Sequence, residues 1–188
     1  MCGRYFLEQD ISDAALLRIL ETLEARGEDV RLRGDIFPGD RAPALADGRI
    51  QAMRWGFAPG GGGRLIINAR SETAEEKPLF RGAGRCLLPA SGYYEWSGKE
   101  AGHARCAFTR PGGAVYMAGL WRRAADGEKR FVILTREATA EAARVHPRMP
   151  VLFSGELRRA WLEAKKTLPE LLRAAATDVC VLDPGARL

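Results

Sequence analysis

Apolar residues recur at helical spacing in one early segment. Ala15, Leu16, Ile19, Leu20 and Leu23, with Ile11 before them, form a single stripe. That spacing predicts an amphipathic helix over 11–26, with Asp10 or Ser12 placed to cap it. The remaining pattern is shorter. "RIQAMRWGF" reads as a strand, "APGGGGR" as a flexible connection and "LIIN" as a short buried strand, after which Ser71 could cap a helical turn. "RCLLPASGYYEW", "ARCAFT", "AVYMAGLW" and "RFVILT" then follow as strands, joined by "SGKEAGH", "RPGG" and "AADGEK". Each join carries Gly, Pro or Asp-Gly turn chemistry, which predicts an antiparallel meander. An Ala-rich helix over about 137–145 leads to "HPRMPVLF". Ser154 can cap a helix through Leu157, Trp161 and Leu162, Pro169 can open another, and "VCVL" is a last short strand. There is no internal repeat and no linker. The expected fold is α+β: one domain over 1–188, with an antiparallel sheet or open β-barrel core and peripheral helices.

Composition narrows the class. With 188 residues, 46% of them hydrophobic, the chain can bury a core of ordinary size. The longest apolar run, "AVYMAGLW", is strand-sized, so no membrane span is expected. Glu8 and Asp10 stand where a signal peptide needs apolar residues, so a cytoplasmic protein is expected. The four cysteines form no C-x-x-C pair and the only histidines are His103 and His146, so neither a metal nor another cofactor is expected. Cys86, Cys106 and Cys180 lie in apolar runs and read as reduced, packed thiols; Cys2 lies in no such run. The net charge of +5 comes mostly from arginine, only five of the 29 basic residues being lysine. Arginine suits phosphate contacts, although an Arg-rich composition alone also fits a chain with no anionic partner.

Four polar residues at the edges of apolar runs are candidates for chemistry. A Cys2 freed of Met1 would be a 1,2-aminothiol. Its α-amine, with a pKa near 7.7–8.0, is roughly 10–30% neutral near pH 7 and can attack an aldehyde, after which the thiol can close a five-membered ring. By itself, a cysteine in this position is more often an idle thiol on a frayed end. Asn68 can orient a reacting group, or serve only as a turn residue. Glu95 sits among the aromatics of "GYYEW", where desolvation raises a carboxyl pKa. It could equally face water at a strand end. His146 opens "HPRMP" as a proton shuttle or a satisfied helix-end histidine. His103 reads as solvated. Arg4, Trp55, Arg70, Trp96, Arg148 and Met149 add arginines and apolar groups of the kind that hold a phosphate backbone with unstacked bases.

Together these pieces resemble the SRAP (SOS-response-associated peptidase) family. The matching stretches are "MCGRY", "RWGF", "INARSETAEEKPLFR", "RCLLPASGYYEW", "MAGLW", "ILT" and "HPRMPV", in the family's order over about the first 150 residues. The resemblance implies a protein that binds single-stranded DNA and caps abasic sites. Cys2 would form a Schiff base and then a thiazolidine with the ring-opened sugar, in lyase-like chemistry. Asn68 would position the linkage, Glu95 would act as acid and base, and His146 would assist proton transfer. Arg4, Arg70 and Arg148 would contact phosphates, with Pro38, Trp55 and Met149 forming the apolar surface where DNA is bent and Trp96 beside them. The family also implies (auto)peptidase removal of whatever precedes the cysteine, here Met1. The expected partner is abasic single-stranded DNA, the expected state a monomer without metal. The C-terminus departs from the family pattern: "DVCVLDPGARL" lacks the usual Asn-rich tail, which bears on the DNA-facing rim more than on the chemistry. Two other readings stay open: an N-terminal-nucleophile amidohydrolase, which also begins Met-Cys-Gly, and a non-covalent nucleic-acid-binding module.

Overall fold

The computed structural model describes residues 2–8, 12–59, 62–98, 104–111 and 113–175, with the backbone of 180–182. Met1, Asp10, Ile11, His103 and the side chain of Cys180 lie outside the described residues. In chain order the strands are β1 (Arg4–Leu7), β2 (Gly34–Ile36), β3 (Arg41–Ala46), β4 (Arg49–Trp55), β5 (Asn68–Arg70), β6 (Gly84–Ala90), β7 (Gly92–Trp96), β8 (Arg105–Thr109), β9 (Val115–Arg123), β10 (Lys129–Glu137), β11 (Arg148–Pro150) and β12 (Cys180–Leu182). The helices are α1 (Ala14–Ala25), α2 (Ala140–Ala143), α3 (Glu156–Leu162) and α4 (Leu168–Arg173), with a 3-10 turn at Pro78–Phe80. This is the expected α+β architecture, mostly antiparallel sheet with peripheral helices.

The strands form two sheets. One has the order β12-β8-β7-β1-β2. The other runs β11-β10-β4-β3-β6-β9, and β9 pairs again with β10. Five strands, β10, β4, β3, β6 and β9, therefore close into a ring, so the barrel expected to be open is closed by pairing. Closure removes sheet edges that would otherwise need protection. The meander is corrected. "RCLLPASGYYEW" is not one strand: it bends at Ser91, sending β6 into the ring beside β9 and β7 into the other sheet beside β1 and β8. Ser91 anchors the bend, its N–H donating to Phe6 O at 2.9 Å and its Oγ accepting from Glu8 N–H at 2.9 Å. The sheets are also not wholly antiparallel, since β10 runs parallel to β4 and β5.

Local signals shifted in instructive ways. α1 buries Leu16, Ile19, Leu20 and Leu23 as the stripe predicts, but its cap is Asp13. One Asp13 oxygen accepts from the N–H groups of Ala15 and Leu16, and the other accepts from Ala114 N–H across the fold. Ser71 caps no helix; a series of turns follows it. α2 is shorter than expected because Glu137 still belongs to β10, and Gly155, not Ser154, precedes α3. Among the described residues no helix is long and apolar enough to cross a membrane.

Candidate functional site

Cys2 precedes β1, and the structure buries it completely. The β1–β7 register pairs Arg4 with Tyr94, which sets Gly3 opposite Glu95 one step further along. Glu95 is 2% exposed. The bend at Ser91 is what places β7, and so Glu95, against the start of the chain. Asn68 reaches the same point from the other sheet. As the first residue of β5 it lies beside Ile133 of β10, and its Nδ2 donates to Cys2 O at 2.9 Å. Because that partner is a carbonyl, the amide orientation is fixed. Its Oδ1 then faces inward, buried and without a hydrogen-bond partner among the described residues. His146 arrives on the segment between α2 and β11. Its Nδ1 lies 3.0 Å from both the N–H and the carbonyl oxygen of Arg148, accepting from the first in one tautomer and donating to the second in the other.

Electrostatics couple these groups. Burial pushes the Cys2 thiol well up from its ordinary value, and the Glu95 charge pushes it further the same way. Burial likewise raises the Glu95 carboxyl, while nearby positive charge, that of a protonated His146 included, pulls it back down. Glu95 therefore keeps its proton at a pH where an exposed carboxyl has lost it. The thiol stays neutral, a poor nucleophile unaided. Tyr93 shares a face of β7 with Glu95, two residues away. Its hydroxyl is buried without a hydrogen-bond partner among the described residues, and burial raises its pKa. A groove of ≈ 570 Å³ lined by Pro38, Arg64, Leu65, Ile66, Ile67 and Asn68 leads to this cluster.

The expected DNA-facing residues divide. Arg70 and Pro38 are exposed. Arg4 is partly exposed, 3.4 Å from Asp35, with its guanidinium over the rings of Phe37 (4.6 Å) and Trp96 (5.3 Å). Trp55 and Met149 need correction: at 0% and 1% exposure neither offers a surface to a strand. Trp55 instead packs between Tyr5 and Phe131 and donates through its indole N–H to Ile67 O at 3.0 Å. Arg148 is engaged within the protein. It grips both oxygens of Glu72, at 2.7 and 2.8 Å, and donates to Thr135 O at 2.6 Å. A phosphate at Arg148 would have to share or displace that carboxylate. The Glu72 carboxyl is accordingly pulled down to about 2, chiefly by its hydrogen bonds to Arg148. Glu72 and Tyr93 went unassigned in the sequence reading; Glu72 and Arg148 lie 76 residues apart, so no local pattern joins them. Cys86 and Cys106 are buried, as expected. Among the described residues no cluster of three or more His, Cys, Asp or Glu could hold a metal ion.

The chain is 28% identical over 197 residues to the abasic site processing protein YedK of Escherichia coli (strain K12), covering 96% of this chain and 87% of that one. It is 27% identical over 192 residues to the abasic site processing protein YoaM of Bacillus subtilis (strain 168), covering 93% and 84%. A solved structure from Bacteroides thetaiotaomicron superposes with a TM-score of 0.75 at 20% identity, covering 96% of this chain and 90% of that one, which bears on the fold alone. A phage-related protein from Bordetella bronchiseptica gives 0.70 at 29% identity, covering 96% and 93%. The model of the SOS response associated peptidase (SRAP) family matches residues 1–182, and the chain belongs to that family.

Proposed function

We propose that this protein captures abasic sites in single-stranded DNA by forming a covalent thiazolidine with Cys2. The observation that carries the reading is the convergence of Cys2, Asn68, Glu95 and His146 from separate elements, with Asn68 also lining an apolar groove. The relatives' shared name, abasic site processing protein, supports it. Hydrolysis of the Met1–Cys2 bond, by the protein itself or by an aminopeptidase, first frees the Cys2 amine. The neutral amine adds to the sugar aldehyde. Protonated Glu95 gives its proton to the carbinolamine hydroxyl, which leaves as water, and the Glu95 carboxylate takes back the N–H proton of the resulting iminium to leave the imine. The thiol then adds across the C=N bond: sulfur bonds to carbon and the thiol proton ends on nitrogen. Asn68 holds the Cys2 backbone during this sequence and His146 relays protons. Arg70 and Arg4 hold the flanking phosphates.

The raised thiol pKa supports an amine-first order. An amidohydrolase would need Cys2 to attack as a thiolate, which burial opposes. The test is to mix purified protein with a single-stranded oligonucleotide carrying one abasic site. The expected product survives a denaturing gel, with a mass equal to protein lacking Met1 plus DNA minus one water. Cys2→Ala should abolish it. No adduct from the wild type, or the same stable adduct from Cys2→Ala, overturns the proposal; glutaminase activity without adduct points to the amidohydrolase, and salt-sensitive binding alone to a non-covalent module.

A further inference from the structure

Among the described residues only two large apolar side chains are exposed, Leu17 and Phe37. Leu17 stands on the outer face of α1. Phe37, 39% exposed, follows β2 at the edge of the site. Its turn is rigid. Phe37 N–H donates to the Asp40 carboxylate at 3.0 Å, Asp40 N–H donates back to Phe37 O at 3.0 Å, and Gly39 N–H donates to Trp55 O at 2.9 Å. Arg31 holds Asp40 at 2.8 Å. The Arg4 guanidinium lies 4.6 Å from the Phe37 ring centre and so backs one face, and the remaining exposure leaves ring surface open to water. Pro38, the next residue, lines the same groove as Asn68, whose amide holds Cys2 O. An aromatic ring is thus held ready at the groove mouth.

We infer that Phe37 stacks against the base adjoining the abasic nucleotide and takes the place of the base that is missing. This rests on the reading of the site as an abasic-site trap. A nucleotide next to an abasic sugar has lost its stacking partner on one side, so one apolar face is exposed to water. A ring already fixed in place covers that face without ordering a loop, and base–aromatic stacking is tolerant of sequence. The ring then contributes preference for the lesion over intact strand.

The experiment uses protein lacking Met1 and single-stranded oligonucleotides carrying a tetrahydrofuran abasic analogue, which has no aldehyde and cannot crosslink. Binding is measured by fluorescence anisotropy with adenine beside the analogue, and again with that adenine also replaced by the analogue, on each flank in turn. Wild type should bind the adenine-flanked strand about 10-fold more tightly on one flank. Phe37→Ala should bring that ratio to about one, and Phe37→Tyr should keep it. An unchanged ratio in Phe37→Ala, or equal loss on every strand, overturns the inference. Adduct formation on an aldehyde-bearing strand is measured alongside. A wild type that forms the adduct while Phe37→Ala keeps the ratio defeats this inference alone; a wild type that forms none defeats the trap reading as well.

Discussion

Glu95 holds its proton because it is out of water, and that has an energetic consequence. Its pKa is raised in the folded state, so its contribution to stability is complete below the unfolded value and is lost as pH rises through the folded one. Glu95→Gln should slow adduct formation, leave binding to intact strands nearly unchanged and melt higher than wild type by a margin that widens as pH rises above 4.5 until the raised folded value is passed. Melting curves across that range check it; a constant margin would mean the buried carboxylate costs nothing. Glu72 behaves in the opposite sense. Its pKa falls from 4.5 to about 2, so its contribution is present above 4.5 and disappears as pH falls through about 2. With its side chain 46% exposed, the pair is worth about 1 kcal/mol or less, so Glu72→Gln should lower stability slightly at pH 7 and not at all near pH 2. Cys2, Asn68, Glu95 and His146 were legible in the sequence because each sits in a recognisable motif. Arg148 could be found but its partner could not, since the carboxylate that occupies it is set by tertiary folding.

Helix α1 could be read because its apolar stripe is long enough to show a period. β3 escaped because "RAPALA" has neither alternation nor β-branched residues and contains Pro43; its pairing with β4 and β6 supplies what propensity lacks. The division of "RCLLPASGYYEW" escaped because both halves are apolar and only Ser91-Gly92 marks the bend. Gly92 is required there by space. A Cβ on it would lie 2.5 Å from both the Phe108 carbonyl oxygen and the Phe6 ring. Gly92→Ala should cost about 1–3 kcal/mol, with Tm falling roughly 2–4 °C per kcal/mol. Since β7 carries Glu95, its adduct rate should fall by more than stability alone accounts for. Single-turnover rates at a temperature where the variant remains folded make that comparison.

Across the whole molecule, the fold joins a closed ring of strands to a second sheet and places the site where β1 and β7 of one meet β5 and β10 of the other. The net charge of +5 is spread over many arginines, several of them paired internally, so charge alone says little about where a strand runs. Salt dependence separates the roles. For single strands the logarithm of affinity falls with that of salt concentration with a slope of about −0.7 per phosphate contact. Arg70→Ala and Arg4→Ala should each flatten the slope by about 0.7. Arg148→Ala should leave it unchanged and lower Tm instead, because its guanidinium serves Glu72. Titrations between 50 and 200 mM salt, fitted for slope, test all three.

Complete burial of Cys2 also bears on what can poison the protein. Peroxides and alkylating reagents consume cysteines as exposed thiolates, and the same kinds of reagent damage DNA bases and so lead to abasic sites. A thiol kept neutral and out of water is a poor target for them, yet it remains able to close on an imine that its own neighbouring nitrogen has formed. On the proposed reading the trap would be insulated from the chemistry that creates its prey: its sulfur would respond to an aldehyde delivered by DNA and stay inert toward small electrophiles in solution.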